Sequence, residues 1–365
     1  MEIDYLNQSS GSFIRLGKRF HWRYINDLDD LERIRKFLET IHASPGMHNL
    51  RLFWETSKRH GWIILTDDNG DLVGASTQNV QPNHEYLTFG LINFVVERYR
   101  RNYGIGKMLY RSESFGNSTL DAMKYITKSK QTIIGSKIAT FFGVAKPTGL
   151  ISLDSCQGSN TAVPEFEIVD LSSQRYPVSY RNALLDALLD YDESLVAPLS
   201  RREFTQRWIT ELPEYEHYSN QKTLVAIATE YRCQNSTIKD FENSSPVSAD
   251  SDKTTAGALN PKILGYGCLR LDEGNVICLT PLYSENVLIA KALFRTLLLS
   301  CASSQFVFYQ SPFNVRLSFE IAQEFGLSIT EVEIRTYDSQ TGTCIEYDKA
   351  IQWNKIYSIH CFWPI

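Results

Sequence analysis

The first 155 residues contain no cysteine, and the seven that follow (156, 233, 268, 278, 301, 344 and 361) form no C-x-x-C pair. That distribution supports neither a disulfide framework nor a structural zinc site. The seven histidines (21, 42, 48, 60, 84, 217 and 360) form no H-E-x-x-H cluster, and the chain has no G-x-S-x-G nucleophile elbow, so no metal is expected and a hydrolase of either kind is set aside. No apolar run approaches the 18 residues of a membrane-spanning helix, and the acidic opening Met1-Glu2-Ile3-Asp4 has no secretory h-region. The expectation is a cytoplasmic protein without a membrane partner, the nucleus being the other open compartment. Basic charge is also scarce: 37 Lys and Arg against 42 Asp and Glu give a net charge of −5. Residues 1–150 hold 20 basic and 15 acidic residues, a balance of +5, and the remainder holds 17 and 27, a balance of −10. An acidic second half excludes nucleic acid as a partner, whereas the basic excess of the first half suits a small polyanion.

The basic residues of the first half concentrate in one place. The apolar stretch Phe94-Val95-Val96 leads through Glu97 and the basic run at 98–101 into Arg101-Asn102-Tyr103-Gly104-Ile105-Gly106-Lys107, and then into a helix-like run. Glycines at such a turn let the backbone approach a phosphate closely, and the first turn of the following helix presents unpaired N–H groups and the positive end of its dipole. Lys107 and Arg111 are four apart and share a helix face. A P-loop would need four residues between its glycines and Gly-Lys-Ser/Thr at its end; a dinucleotide fold would need three glycines in the first βα turn. Neither pattern is present, and two strands precede this turn.

The pattern that remains is R/Q-x-x-G-x-G/A, and Arg101-x-x-Gly104-x-Gly106 resembles the acyl-CoA loop of the GNAT superfamily of N-acyltransferases. The flanks resemble it too. Residues 20–25 read as a strand, and 28–41 carry apolar residues at 28, 31, 34, 37, 38 and 41, a helical spacing with Asp27 as N-cap and Asp29 and Asp30 in the first turn. A second helix is expected over 49–59. Strands at 62–66 and 72–76 flank a hairpin signal at Asn69-Gly70, and a strand over 86–96 delivers the glycine turn. The resemblance covers roughly residues 15–145.

At 365 residues the chain has room for two domains. Polar, turn-rich residues near 152–164 mark the expected boundary, giving domains 1–150 and 151–365. A second polar stretch, 234–261, reads as a disordered insertion. Around it the first order recurs: a strand at 166–169, helices at 178–191 and 202–208, paired strands at 224–228 and 263–269, a strand at 276–279, and a helix to about 300 capped by Ser284. The fold class is therefore α/β (α+β), two GNAT-like mixed-sheet domains in tandem. In the second copy Pro281-Leu282-Tyr283-Ser284-Glu285-Asn286 replaces the phosphate loop; no glycine or arginine occurs there, and Glu285 would repel an anion. This pairing resembles the YitH-like tandem acetyltransferases, carried in the second half by Tyr191-Asp192, Arg202, Phe204, Trp208, Gly265-Tyr266-Gly267, Pro281-Leu282-Tyr283, a helix over 314–325 and Ile334-Arg335-Thr336-Tyr337.

The resemblance implies direct transfer of acetyl from acetyl-CoA, a cosubstrate, to a primary amine of a small molecule or peptide. Backbone amides over 101–107 would hold the pyrophosphate, and the strand Phe94 to Val96 would pair with pantetheine. Glu97 or Glu85 would take the amine proton, and Tyr125, after a strand at 118–122, would reprotonate the thiolate. Ile126-Thr127 stands where the family has Gly-Phe. A non-catalytic acyl-CoA-binding sensor or protein-interaction module would carry the same phosphate loop. Loops near 42–50, 77–86 and 126–146 are expected to surround the acceptor.

Overall fold

The computed structural model describes residues 10–40, 49–56, 62–76, 87–88, 95–96, 121–122, 132–144, 165–197, 200–211, 221–229, 261–272, 276–300, 306–312, 316–338 and 349–358. The first half opens with a hairpin of β1 (Ser10–Arg15) and β2 (Lys18–Tyr24), followed by α1 (Leu28–Thr40), α2 (Asn49–Thr56), β3 (Ile63–Asp67), β4 (Leu72–Ser76), β5 (Leu87–Thr88), β6 (Val95–Val96), β7 (Asp121–Ala122) and β8 (Thr132–Val144). The second half continues with β9 (Phe166–Asp170), α3 (Val178–Val196), α4 (Arg202–Thr210), β10 (Lys222–Ala228), β11 (Ile263–Asp272), β12 (Val276–Ser284), α5 (Val287–Leu298), β13 (Phe306–Pro312), α6 (Arg316–Glu324), β14 (Ser328–Asp338) and β15 (Ile356–Ser358).

Local chemistry accounts for the elements that open the first half. Helix α1 starts where the Asp27 side chain accepts the backbone N–H of Asp30 at 2.9 Å. It buries Leu31, Ile34 and Phe37, each three residues from the next and so on one face. Asp30 is buried beneath Arg23 of β2, which donates to both carboxylate oxygens. Burial alone would favour the neutral acid, but Arg23, the Asn26 amide and the charges of Arg23 and Arg33 outweigh it and hold the group below its ordinary value. The β3–β4 hairpin turns at Asn69-Gly70, where Gly70 has φ +83 and the Asp67 carboxylate accepts the amides of Asn69 and Asp71.

Strands β1-β2-β3-β4-β6 form one antiparallel sheet in that order. The second sheet has the order β14-β8-β13-β12-β11-β10-β9, and β15 pairs with β12. It includes β8, a 13-residue strand drawn from before the composition break, which bonds to β13 on one side and β14 on the other. Residues 132–144 were expected within an acceptor loop; this segment, rich in β-branched residues and with two phenylalanines, instead makes the strand that joins these two neighbours. The pairing expected between 224–228 and 263–269 is present, with Leu224 opposite Gly267 and Val225 opposite Tyr266. The insertion between them lies, apart from Pro261, outside the described residues.

Two apolar clusters hold the sheets and helices together. One is continuous across both halves, joining Ile25, Leu31, Phe37 and Trp62 to Leu188, Phe204, Trp208 and Ile356; the other packs α5 and α6 on the second sheet through Leu293, Phe294, Ile321 and Phe325. None of the described helices is long and apolar enough to cross a membrane.

Candidate active site

Of the residues expected to hold the donor or carry the chemistry, Val95 and Val96 are described, and they form β6, with Val96 opposite Gly74 and Val95 opposite Ala75 of β4. Phe94, Glu97, Arg101, Asn102, Tyr103, Gly104, Ile105, Gly106, Lys107, Tyr125 and Glu85 lie outside the described residues. Their chain position is nonetheless bounded on both sides. Leu87 and Thr88 of β5 pair in parallel with Asp121 and Ala122 of β7. Parallel neighbours require a crossover, and in sequence residues 89–120, which include β6 and the expected glycine turn, lie between the two strands. The expected strand over 86–96 accordingly shows two described pieces with different partners, β5 against β7 and β6 against β4. The expected strand at 118–122 is present as β7 over its last two residues.

The second half repeats this pairing. Val276 to Cys278 of β12 run parallel to Phe306 to Phe308 of β13, and further along β12 Leu282 and Tyr283 lie opposite Gly267 and Tyr266 of β11. The parallel start of β12 therefore matches β5 with β7, and its far end matches β6 with β4. Here the turn into the following helix is described. Asn286, not Ser284, caps α5: its Oδ1 accepts the Ile289 amide at 3.0 Å, while the buried Ser284 hydroxyl donates to the Asn286 carbonyl at 2.8 Å. Ser284 is the last residue of β12, two positions before the cap and too far back to reach the first free amides of the helix. Glu285 is paired with Lys355 at 2.9 Å. The close strand approach at this end requires Gly265, where a Cβ would lie 2.6 Å from the Tyr283 carbonyl oxygen.

Behind that turn lies a polar network built on Asp192 and Arg201; the residues that carry the resemblance in sequence include Asp192 and Arg202 but not Arg201. Arg201, rather than Arg202, reaches the fully buried Asp192, with Nε and Nη2 donating to its two oxygens at 2.8 and 2.6 Å. Tyr266 and Thr205 donate to the same carboxylate, the latter at 3.2 Å, and Arg201 also donates to the Tyr283 hydroxyl at 3.1 Å. Burial would lower the Arg201 pKa, but the Asp192 charge and its hydrogen bond more than offset this and raise it. Burial pushes the Tyr283 phenol up to about 12, against the nearby guanidinium. The shifts of Arg201 and Tyr283 thus keep the guanidinium charged and the phenol neutral at neutral pH. Arg202 lies outside it, paired with Asp186, Asp190 and Glu193 near the surface. The only prior sign separating the two arginines is helical phase: Arg202 begins α4, whereas Arg201 precedes it and can fold back on α3.

The halves also meet through equivalent elements. Helix α2 of the first copy packs on α4, its counterpart in the second, and Arg207 donates to Glu55, which Arg51 also holds at 2.6 Å. Contact between equivalent faces is the intramolecular analogue of a two-fold dimer interface. A double-mutant cycle on Glu55→Gln and Arg207→Gln should give a coupling of about 1 kcal/mol that shrinks in 1 M salt, as partly exposed charges are screened; additivity of the two changes would show that the pair does not join the halves. Among the described residues, no three His, Cys, Asp or Glu side chains converge as metal ligands.

No family model matches the sequence, and no curated protein matches it significantly. Solved structures do. A candidate acetyltransferase from Pyrococcus horikoshii aligns over 93% of this chain and 94% of its own, at 11% identity and a TM-score of 0.53. A tandem GNAT protein of the clavulanic acid biosynthesis pathway aligns over 87% and 97%, at 10% identity and a TM-score of 0.51. N-myristoyltransferase of Saccharomyces cerevisiae, solved with myristoyl-CoA, aligns over 91% and 85%, at 10% identity and 0.52. With the repeated strand pairing of its two halves, the chain has the fold of the GNAT acyltransferases, as two GNAT-like mixed-sheet domains in tandem.

Proposed function

We infer that this chain is an acetyl-CoA-dependent N-acetyltransferase of the YitH-like tandem kind, transferring acetyl to a primary amine of a small molecule or peptide. In this reading residues 1–150 bind the donor, residues 151–365 are the divergent copy, and the protein works in the cytoplasm. The support is the parallel pairing of β5 with β7, between which Arg101-x-x-Gly104-x-Gly106 falls in sequence after β6, together with the fold shared with the GNAT acetyltransferases.

Each part then has a physical task. Backbone amides from Arg101 to Lys107 meet the pyrophosphate, with Arg101 and Lys107 adding charge. The backbone of Phe94 to Val96 holds the pantetheine arm as a further strand, and an amide there polarises the thioester carbonyl. The amine attacks as the free base, its proton passing to Glu97 or to water, and Tyr125 protonates the thiolate.

Acetyl-CoA at about 100 times its dissociation constant stabilises a native state by about 2.7 kcal/mol, which at about 2–4 °C per kcal/mol raises the unfolding midpoint by roughly 5–10 °C. That rise is expected for the wild type and absent in Gly106→Asp, which places a side chain and a negative charge in the phosphate cradle. A folded wild type with no shift sinks the reading. A shift without turnover on any of a panel of primary amines leaves a donor-binding protein without transferase activity.

A further inference from the structure

We propose that the second copy is closed to a donor by its own strand β15, which occupies the edge of β12 that corresponds to the donor-pairing edge of β6. The correspondence follows from the register. Val96 lies opposite Gly74 in the first copy, and Leu282 lies opposite Gly267 in the second. On its other edge β12 keeps its parallel partner β13 only as far as Cys278 opposite Phe308. Past that point β12 and β13 part, and β12 continues to Ser284. The edge so released is taken antiparallel by β15, with Leu282 opposite Ser358 and Tyr283 opposite Ile356. A pantetheine arm and β15 would compete for the same backbone groups.

The strap is fastened along its length. Where β12 and β13 diverge, the buried Ser358 hydroxyl donates to the Leu279 carbonyl at 3.0 Å. Ile356 and Tyr357 are both buried and point to opposite faces, Ile356 into the cluster shared by the two halves and Tyr357 into the cluster under α5. At the other end Lys355 pairs with Glu285, and the Gln352 side chain and amide donate to the Ser194 and Leu195 carbonyls at 2.8 and 2.9 Å. The phosphate position is closed as well, since Glu285 and the Asn286 cap stand at the start of α5. Both contacts a donor would make, to the strand edge and to the helix start, are already satisfied within the chain.

The structural half of this proposal is independent of the function proposed above; its stoichiometry rests on that function. Hydrogen–deuterium exchange of the full chain, with and without saturating acetyl-CoA, tests the first. The amides of Ile356 to Ser358 are expected to exchange at least about 10³-fold more slowly than in an unstructured peptide, and no faster with donor than without. Lys355→Glu, which sets two carboxylates against each other, should speed these amides while leaving β10 unchanged. Fast exchange in the wild type, or exchange that accelerates when donor is added, overturns the closure, because either means that the edge is open or is yielded to the donor. Calorimetric titration should give one acetyl-CoA per chain and none for Gly106→Asp. A site surviving in Gly106→Asp overturns the closure. Absence of binding in the wild type refutes the transferase reading, and the exchange result then decides the closure alone.

Discussion

Replacing Asp192 by alanine should cost about 3–5 kcal/mol of stability, because it strands a guanidinium that cannot shed its charge. In the native protein that one carboxylate receives Arg201, Tyr266 and Thr205, and Arg201 extends the network to Tyr283. The network ties the end of α3 and the start of α4 to β11 and β12, so its loss loosens four elements together. At about 2–4 °C per kcal/mol the unfolding midpoint should fall by roughly 6–20 °C. Two comparisons separate a broken charge pair from a simple cavity. Asp192→Ala combined with Arg201→Met should be less destabilised than Asp192→Ala alone, since the second change removes the orphaned cation. Arg202→Ala should fall within about 1 kcal/mol of the wild type, because its partners lie near the surface. A midpoint for Asp192→Ala close to that of the wild type, or equal losses from Arg201→Met and Arg202→Ala, would show that the buried pair does not hold these elements together.

The choice between Arg201 and Arg202 marks a limit of sequence reading. Asp192 and Arg202 stood out separately as residues of the resemblance and Arg201 did not; which arginine turns inward depends on the path of the chain between α3 and α4, and composition does not carry that path. The cap of α5 failed for a similar reason: Ser284, Glu285 and Asn286 are all polar, and only the length of β12 decides which of them meets the free amides. Periodic features fared better. The helical spacing beginning at Leu28, the Asn69-Gly70 hairpin and the pairing of 224–228 with 263–269 are each set by local residue chemistry. Strand β8 was legible and misread. Thr132-Ile133-Ile134 and Ile138-Ala139-Thr140-Phe141-Phe142 have strand composition, yet the strand's partners lie more than 160 residues further on, and nothing local announces them. Within the candidate active site, the glycine turn could be proposed from sequence because a phosphate-binding loop needs particular residues at particular spacings, and its residues lie outside the described ones. A general base needs only a carboxylate in the right place, which spacing does not specify.

Cutting the chain after residue 150 should leave two fragments that do not fold, whereas a fragment spanning 131–365 should retain the second sheet. The difference is β8. Its residues pair with Phe306–Pro312 on one side and with Ser328–Asp338 on the other, so in a 1–150 fragment a 13-residue strand rich in isoleucine and phenylalanine loses both neighbours. Two open edges on such a strand invite association between chains. In a 151–365 fragment β13 and β14 face each other across the empty place of a strand, with their inner hydrogen-bonding groups unpaired. Far-UV circular dichroism and gel filtration should find 151–365 aggregated or without a cooperative melt, and 131–365 melting cooperatively though less stable than the whole chain, since it lacks the first half's share of the continuous core. Coexpression of 1–150 with 151–365 should recover soluble protein if β8 docks between chains as it does within one. Should 151–365 prove a well-folded monomer by itself, β8 is dispensable to that sheet, and the two halves are joined by the α2–α4 contact and the shared core without it.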